Sequence, residues 1–146
     1  EHEGYAAELE ATQASVKRMR EAGVRVLVGG DYGLNITPHG TYARELQYFT
    51  DYFGFSPGEA LQAATKHGGE AFMPDGSLGT LEAGKIADMV IVKGNPLEQI
   101  GVLQDADAIA AVIKEGQIYT GLLDNQSPHQ KNAEQMNQLL EARPCN

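Results

Sequence analysis

Ala22-Gly23-Val24-Arg25-Val26-Leu27-Val28-Gly29-Gly30-Asp31-Tyr32-Gly33 is the stretch on which the fold class turns. Its middle, residues 24–28, is short, apolar and rich in β-branched side chains, as in a buried strand. Upstream, residues 5–21 are dominated by Ala, Leu, Glu and Lys, with Leu9, Val16 and Met19 or Arg20 recurring at near-helical spacing. Gly23 stands where such a helix would stop. Helix, glycine stop and short apolar strand form the second half of a βαβ unit, so the expected class is α/β. The strand then runs into three glycines set around Asp31, a composition that lets the backbone turn sharply and approach another group closely.

Beyond this turn, residues 34–40 read as a loop whose most unusual element is Pro38-His39-Gly40. Residues 41–53 read as a second helix with Leu46, Phe49 and Phe53 on one side, ended by Gly54. Ser56-Pro57-Gly58-Glu59 opens a third: Ser56 caps, Glu59 completes a capping box, and Pro57 occupies the first helical position, where its missing N–H costs nothing. The small residues that follow Leu61, Ala63 and Ala64 among them, predict close packing on a neighbour.

From Gly76 the character changes to a small β unit. Residues 78–81 read as a short extended piece, Gly84-Lys85 as a turn, and residues 87–92 and 109–113 as strands. Glu115-Gly116 reads as a two-residue hairpin turn into residues 117–120. After Gly121 the chain turns polar, with Ser127-Pro128 as a cap pair for a helix reaching about Ala142. The expected organisation is therefore residues 1–75, 76–121 and a tail or docking helix over 122–146.

Composition narrows the function classes. A formal charge of −9 argues against nucleic acid or an anionic membrane as partner, because both select a cationic face. Cys145 is the only cysteine, so neither a disulfide framework nor a cysteine zinc site can be built. No apolar run approaches the roughly 20 residues of a membrane span. Glu1-His2-Glu3-Gly4 lacks the basic-then-apolar pattern of a signal peptide, which favours a cytoplasmic protein; a targeting segment outside this chain is not assessable.

Asp31 is the residue type and position that carries chemistry. An acid just past the C-terminal end of a parallel strand stands where α/β barrels keep catalytic groups, and there it can bind a metal and accept a proton from water. An Asp in a glycine-rich loop is also a common turn former or helix cap, and the pattern alone leaves both readings open.

The motifs resemble, as an ordered set, those of the amidohydrolase superfamily, in its imidazolonepropionase-like and Xaa-Pro dipeptidase-like branch. After Ala22-Gly23-Val24 come Gly29-Gly30-Asp31-Tyr32-Gly33, Thr37-Pro38-His39-Gly40, Glu45-Leu46 and Ser56-Pro57-Gly58-Glu59-Ala60-Leu61. Gly79-Thr80-Leu81-Glu82-Ala83-Gly84-Lys85-Ile86-Ala87-Asp88-Met89-Val90 and Gly94-Asn95-Pro96-Leu97 complete the series, over about residues 22–121. The resemblance implies the last strand and helices of a (β/α)8 metal-dependent hydrolase barrel, plus part of a small β-sandwich. It implies a divalent metal, zinc by the family's pattern, held by a His-x-His pair, further His residues, a Lys or Glu, and a final Asp. Asp31 matches that Asp, as metal ligand and as the base that takes a proton from the attacking hydroxide and delivers it to the leaving group. The implied substrates are small amides, cyclic amides or dipeptides.

The departure is equally plain. This sequence has no His-x-His, and His2, His39, His67 and His129 match none of the family's ligand contexts. A catalytic zinc takes about three protein ligands and a water. The expectation is thus a C-terminal portion of a metal-dependent amidohydrolase, inactive alone. The alternative is a non-catalytic assembly module that orders as a homo-oligomer through bare barrel edges. An unrelated α/β domain would instead bury Asp31 in an ion pair.

For the remaining residues two readings stand side by side. His39 is a substrate contact at the barrel mouth or a loop histidine meeting solvent, and Tyr32 lines the pocket or packs. His67 is expected at a helix C-terminus, where its ring favours the dipole. Lys85 is expected to be solvated in a turn, as is His129 in the tail, and Asp88 to bond the backbone of a turn.

Overall fold

The computed structural model describes residues 2–121; the expected tail helix and His129 lie outside these residues. Helix α1 spans His2–Glu21. It ends as its sequence predicts: Gly23 adopts φ +75°, its N–H donates to the Arg20 carbonyl at 2.9 Å, and the Val24 N–H donates to the Met19 carbonyl at 2.9 Å. These two bonds make a Schellman motif, which satisfies the last carbonyls of the helix.

The chain leaves α1 directly into an extended segment, residues 24–30, and here the expected buried strand is corrected. The segment forms no β-ladder with another described residue. Val26 and Val28 face the core, whereas Val24 and Leu27 are 51% and 41% exposed. From Val26 to Gly30 burial alternates, so one face is covered and the other bare; Val24, in phase with Val26 and Val28, lies beyond the covered part. A parallel strand is buried on both faces only when neighbouring strands and helices flank it.

Helix α2, Arg44–Tyr52, starts three residues later than expected. Residues 41–43 instead form tight turns, with Arg44 N–H donating to Thr41 O at 3.1 Å and Glu45 N–H to Tyr42 O at 3.2 Å. Leu46 and Phe49 are buried, and Phe53 packs beside them, as the sequence spacing predicts. Phe55 folds back under α2, its ring 4.7 Å from that of Phe49.

Helix α3, Pro57–Gln62, opens on the expected capping box. Glu59 N–H donates to Ser56 Oγ at 3.3 Å, and Ser56 N–H donates to Glu59 Oε2 at 2.7 Å. The helix does not stop near His67. It continues through a π-helical turn, Ala63–His67, into helix α4, Gly68–Phe72. His67 therefore lies within a continuous helical stretch, which corrects its placement at a C-terminus. The glycines explain the continuation. Gly69 is buried against the Leu78-Gly79 backbone, and a Cβ on Gly79 (φ +100°) would lie 2.6 Å from the Thr65 carbonyl oxygen. Helix and loop thus touch backbone to backbone, which only glycine allows.

Leu46, Phe49, Ala60, Ala63 and Ile100 form the core, with Val26 and Val28 packed against it. Ala60 and Ala63 are 0% and 1% exposed, as expected of small residues at a close helix contact. Ile100 comes from a 3₁₀ turn, Ile100–Gln104, that docks on α2.

Three strands, β1 Met89–Val92, β2 Ile109–Lys114 and β3 Gln117–Gly121, form an antiparallel sheet in sequence order. The β2–β3 connection is the expected two-residue turn, with Glu115 at φ +52° and Gly116 at φ +76°. Positive φ at both positions is the type I′ geometry, which matches strand twist. Asp88 bonds this turn as predicted: its Oδ1 accepts from Glu115 N–H at 2.8 Å. Residues 78–81 are irregular rather than extended. Lys85 is not simply solvated: its Nζ donates to Thr80 Oγ1 and to Glu82 Oε1.

Candidate active site

Asp31 ends the extended segment in the left-handed region, at φ +45°. A residue with a Cβ is disfavoured there by about 1–2 kcal/mol, so neighbouring bonds must hold it. They come from one residue. Thr37 Oγ1 donates to the Asp31 carbonyl oxygen at 3.1 Å. The Thr37 carbonyl accepts from Gly33 N–H at 2.9 Å, and its N–H donates to Leu34 O at 3.1 Å. The Asp31 side chain is exposed and makes no hydrogen bond or ion pair with another described residue. This is the opposite of the buried, salt-bridged acid that an unrelated domain would show.

Tyr32 turns towards α2. Its hydroxyl donates to Glu45 Oε1 and to the Thr41 carbonyl, each at 3.3 Å, and its ring meets Tyr42 edge-on at 4.7 Å. Burial, and then the negative charge of Glu45 and its hydrogen bond, raise the phenol above its ordinary pKa. At neutral pH Tyr32 is therefore a donor. Gly30 lies beneath this bond, where a Cβ would run into Glu45 Oε1 and the Tyr32 ring.

His39 folds back over the same loop. Its Nδ1 is 2.8 Å from the Tyr42 hydroxyl, and its Nε2 would be 3.1 Å from a Cβ on Gly33. Asp31, Tyr32 and His39 thus belong to one loop, but face different partners: open space, Glu45 and Tyr42. Sequence reasoning assigned no role to Thr37, Tyr42 or Glu45. Thr37 and Glu45 stood inside quoted motifs; Tyr42 carried no signal.

A model of the amidohydrolase family matches residues 6–119. The chain belongs to the amidohydrolase family. Among its curated relatives, it is 36% identical over 114 residues to the ochratoxinase of Aspergillus niger, covering 77% of this chain and 22% of that protein. It is 31% identical over 110 residues to an imidazolonepropionase from Symbiobacterium thermophilum, covering 75% and 26%. Its structure is similar to the crystal structure of a Xaa-Pro dipeptidase with bound methionine in the active site, at a TM-score of 0.65 and 34% identity, over 75% of this chain and 25% of that one. The chain spans about a quarter of the length of the curated relatives it matches.

For an amidohydrolase, the donor set along this chain is small. Among the described residues no three His, Cys, Asp or Glu side chains converge as metal ligands. A catalytic zinc takes about three protein donors. The described residues by themselves do not fit a metal centre. Among them, no helix is long and apolar enough to cross a membrane.

Proposed function

We propose that this chain is the C-terminal portion of a metal-dependent amidohydrolase that hydrolyses amide-type C–N bonds, and that Asp31 is its contribution to the reacting centre. In this reading residues 1–75 are the last strand and helices of a (β/α)8 barrel, and residues 76–121 a segment of a small β-sandwich. Substrates are small amides, cyclic amides or dipeptides. The observation that carries the reading is the free, exposed carboxylate of Asp31 at the end of an extended segment, in a chain that matches the family over residues 6–119. Divalent metal, zinc by the family's pattern, belongs to the whole protein, with its other ligands outside this sequence.

The chemistry assigned to Asp31 needs a base without a competing partner. Its carboxylate accepts a proton from water as the oxygen bonds to the amide carbon, and returns that proton to the nitrogen as the C–N bond breaks. His39, held by Tyr42, and Tyr32, held by Glu45, stand beside it; His39 is assigned to substrate contact. An isolated 146-residue chain is expected to show no turnover of a Xaa-Pro dipeptide or an N-acyl amino acid and no stoichiometric metal. The full-length protein should turn over, and Asp31→Asn should lower its kcat by about 10²-fold or more. Turnover by the chain alone, or normal turnover by full-length Asp31→Asn, would sink the proposal.

The exposed apolar side chains of residues 24–28, Val24 and Leu27, favour a second reading: an assembly module that covers this segment with a second copy. Sedimentation of the isolated chain separates the two. A monodisperse monomer that unfolds cooperatively excludes the assembly module.

A further inference from the structure

We infer that Thr37 is a positioning residue for the Asp31 carboxylate, an inference that rests on the assignment of Asp31 to the reacting centre. Every polar group of Thr37 bonds back into the loop that Asp31 opens. Its hydroxyl donates to Asp31 O at 3.1 Å, its carbonyl accepts from Gly33 N–H at 2.9 Å, and its N–H donates to Leu34 O at 3.1 Å. The two backbone bonds survive any side chain but proline at this position, so they make the loop a loop. The hydroxyl bond is different. Among the described residues it is the one hydrogen bond to the backbone of Asp31 itself, whose φ of +45° is disfavoured for a residue with a Cβ. The Asp31 side chain has no partner among the described residues, so the backbone sets where its carboxylate can reach. A single hydroxyl therefore holds the peptide from which the reacting carboxylate projects. Backbone strain that persists must be held by such surrounding bonds. A base displaced by an ångström loses much of its rate, because proton transfer requires hydrogen-bond reach.

The test compares Thr37→Val, which keeps the shape and removes the hydroxyl, with Thr37→Ser, which restores it. Both are made in the full-length protein, alongside Asp31→Asn. The expected result is a kcat for Thr37→Val lowered between about 10- and 100-fold with KM nearly unchanged, and recovery to within a few-fold in Thr37→Ser. A merely structural threonine would lower thermal stability without splitting kcat from KM. Should Thr37→Val fail to fold, Thr37→Ala removes the hydroxyl without added apolar bulk and is read in the same way. Wild-type kcat without the hydroxyl, or equal losses with serine and valine, overturns the role of Thr37 even when Asp31→Asn is inactive. If Asp31→Asn retains turnover, the assignment of Asp31 itself falls.

Discussion

The Tyr32 hydroxyl and the Glu45 carboxylate meet at 3.3 Å above the bare Cα of Gly30. This contact fastens the loop after the extended segment to helix α2, and it exists only because position 30 has no side chain. Gly30→Ala should push the phenol and the carboxylate apart, since a Cβ would collide with both. Overpacking of this kind costs about 1–3 kcal/mol. In the same variant the Tyr32 phenol, now more exposed and released from Glu45, should titrate closer to its ordinary value of 10.0. Ultraviolet titration of the tyrosines together with urea unfolding measures both effects. An unchanged titration with unchanged stability would refute the contact.

Arg20 joins three elements, and its loss should be felt in all of them. Its Nη1 donates to the carbonyls of Phe53 at 3.0 Å and Gly54 at 2.6 Å, at the end of α2. Its Nη2 reaches Glu59 Oε1 at 2.9 Å, and the guanidinium lies 3.9 Å from the centre of the Phe55 ring. Arg20→Ala should destabilise the chain by about 1–3 kcal/mol, and Arg20→Lys should recover only part, because an ammonium cannot span the same fork.

The acid limb of stability should depend on Glu59. The Ser56 backbone N–H, then the Ser56 hydroxyl, and Arg20 hold its carboxyl below the ordinary value of 4.5. A lowered folded pKa stabilises the fold fully above that ordinary value, and the contribution is lost as pH falls through the lowered one. Glu59→Gln should therefore be less stable than the parent at pH 7, with the difference shrinking towards pH 2. Glu59 is exposed enough that solvent screening keeps the effect small. Thermal unfolding at a series of pH values reads it, and a difference that grows on acidification would contradict the assignment.

The β2–β3 turn offers a change in the stabilising direction. Glu115 sits at φ +52°, the first central position of a type I′ turn, where asparagine is favoured. Glu115→Asn should raise the melting temperature by the equivalent of about 0.5–1 kcal/mol, because its Cβ strain is better tolerated. Gly116→Ala, at φ +76°, should lower it by a similar or larger amount. Asp88 Oδ1 accepts from the backbone N–H of residue 115, so this bond persists in both variants.

Close backbone contact makes Gly79 a more severe site. A Cβ there would sit 2.6 Å from the Thr65 carbonyl oxygen in a backbone at φ +100°. Gly79→Ala should cost at least about 2 kcal/mol, from the clash and the strain together, whereas Gly84→Ala (φ +88° with open space around it) carries the strain alone. Equal stability of the two variants would mean that helix and loop do not pack as described.

Much of this protein was decided locally, and there the sequence sufficed. The Gly23 stop, the Ser56–Glu59 capping box and the Glu115-Gly116 turn depend on residues within a few positions of one another, and all three form as their residue types predict. The Asp88 bond to a turn was also legible, because short acids seek nearby backbone N–H groups. Asp31 among its glycines was legible only as an acid open to two readings, and the family resemblance singled it out. What the sequence could not decide was anything requiring a neighbour in space. Residues 24–28 have strand composition, but a strand needs a ladder partner, and none is present among the described residues, so no strand forms and Val24 and Leu27 stay exposed. The continuation of α3 past His67 rests on Gly69 meeting Gly79, a contact between segments ten residues apart that no local pattern reports. Thr37 became visible only when its hydroxyl was found on the Asp31 carbonyl. Short-range spacing thus determined the caps, the turns and the family resemblance; the tertiary structure decided which segments pair, which faces are covered and what bonds the loop of Asp31, because burial and hydrogen-bond pairing belong to the assembled chain.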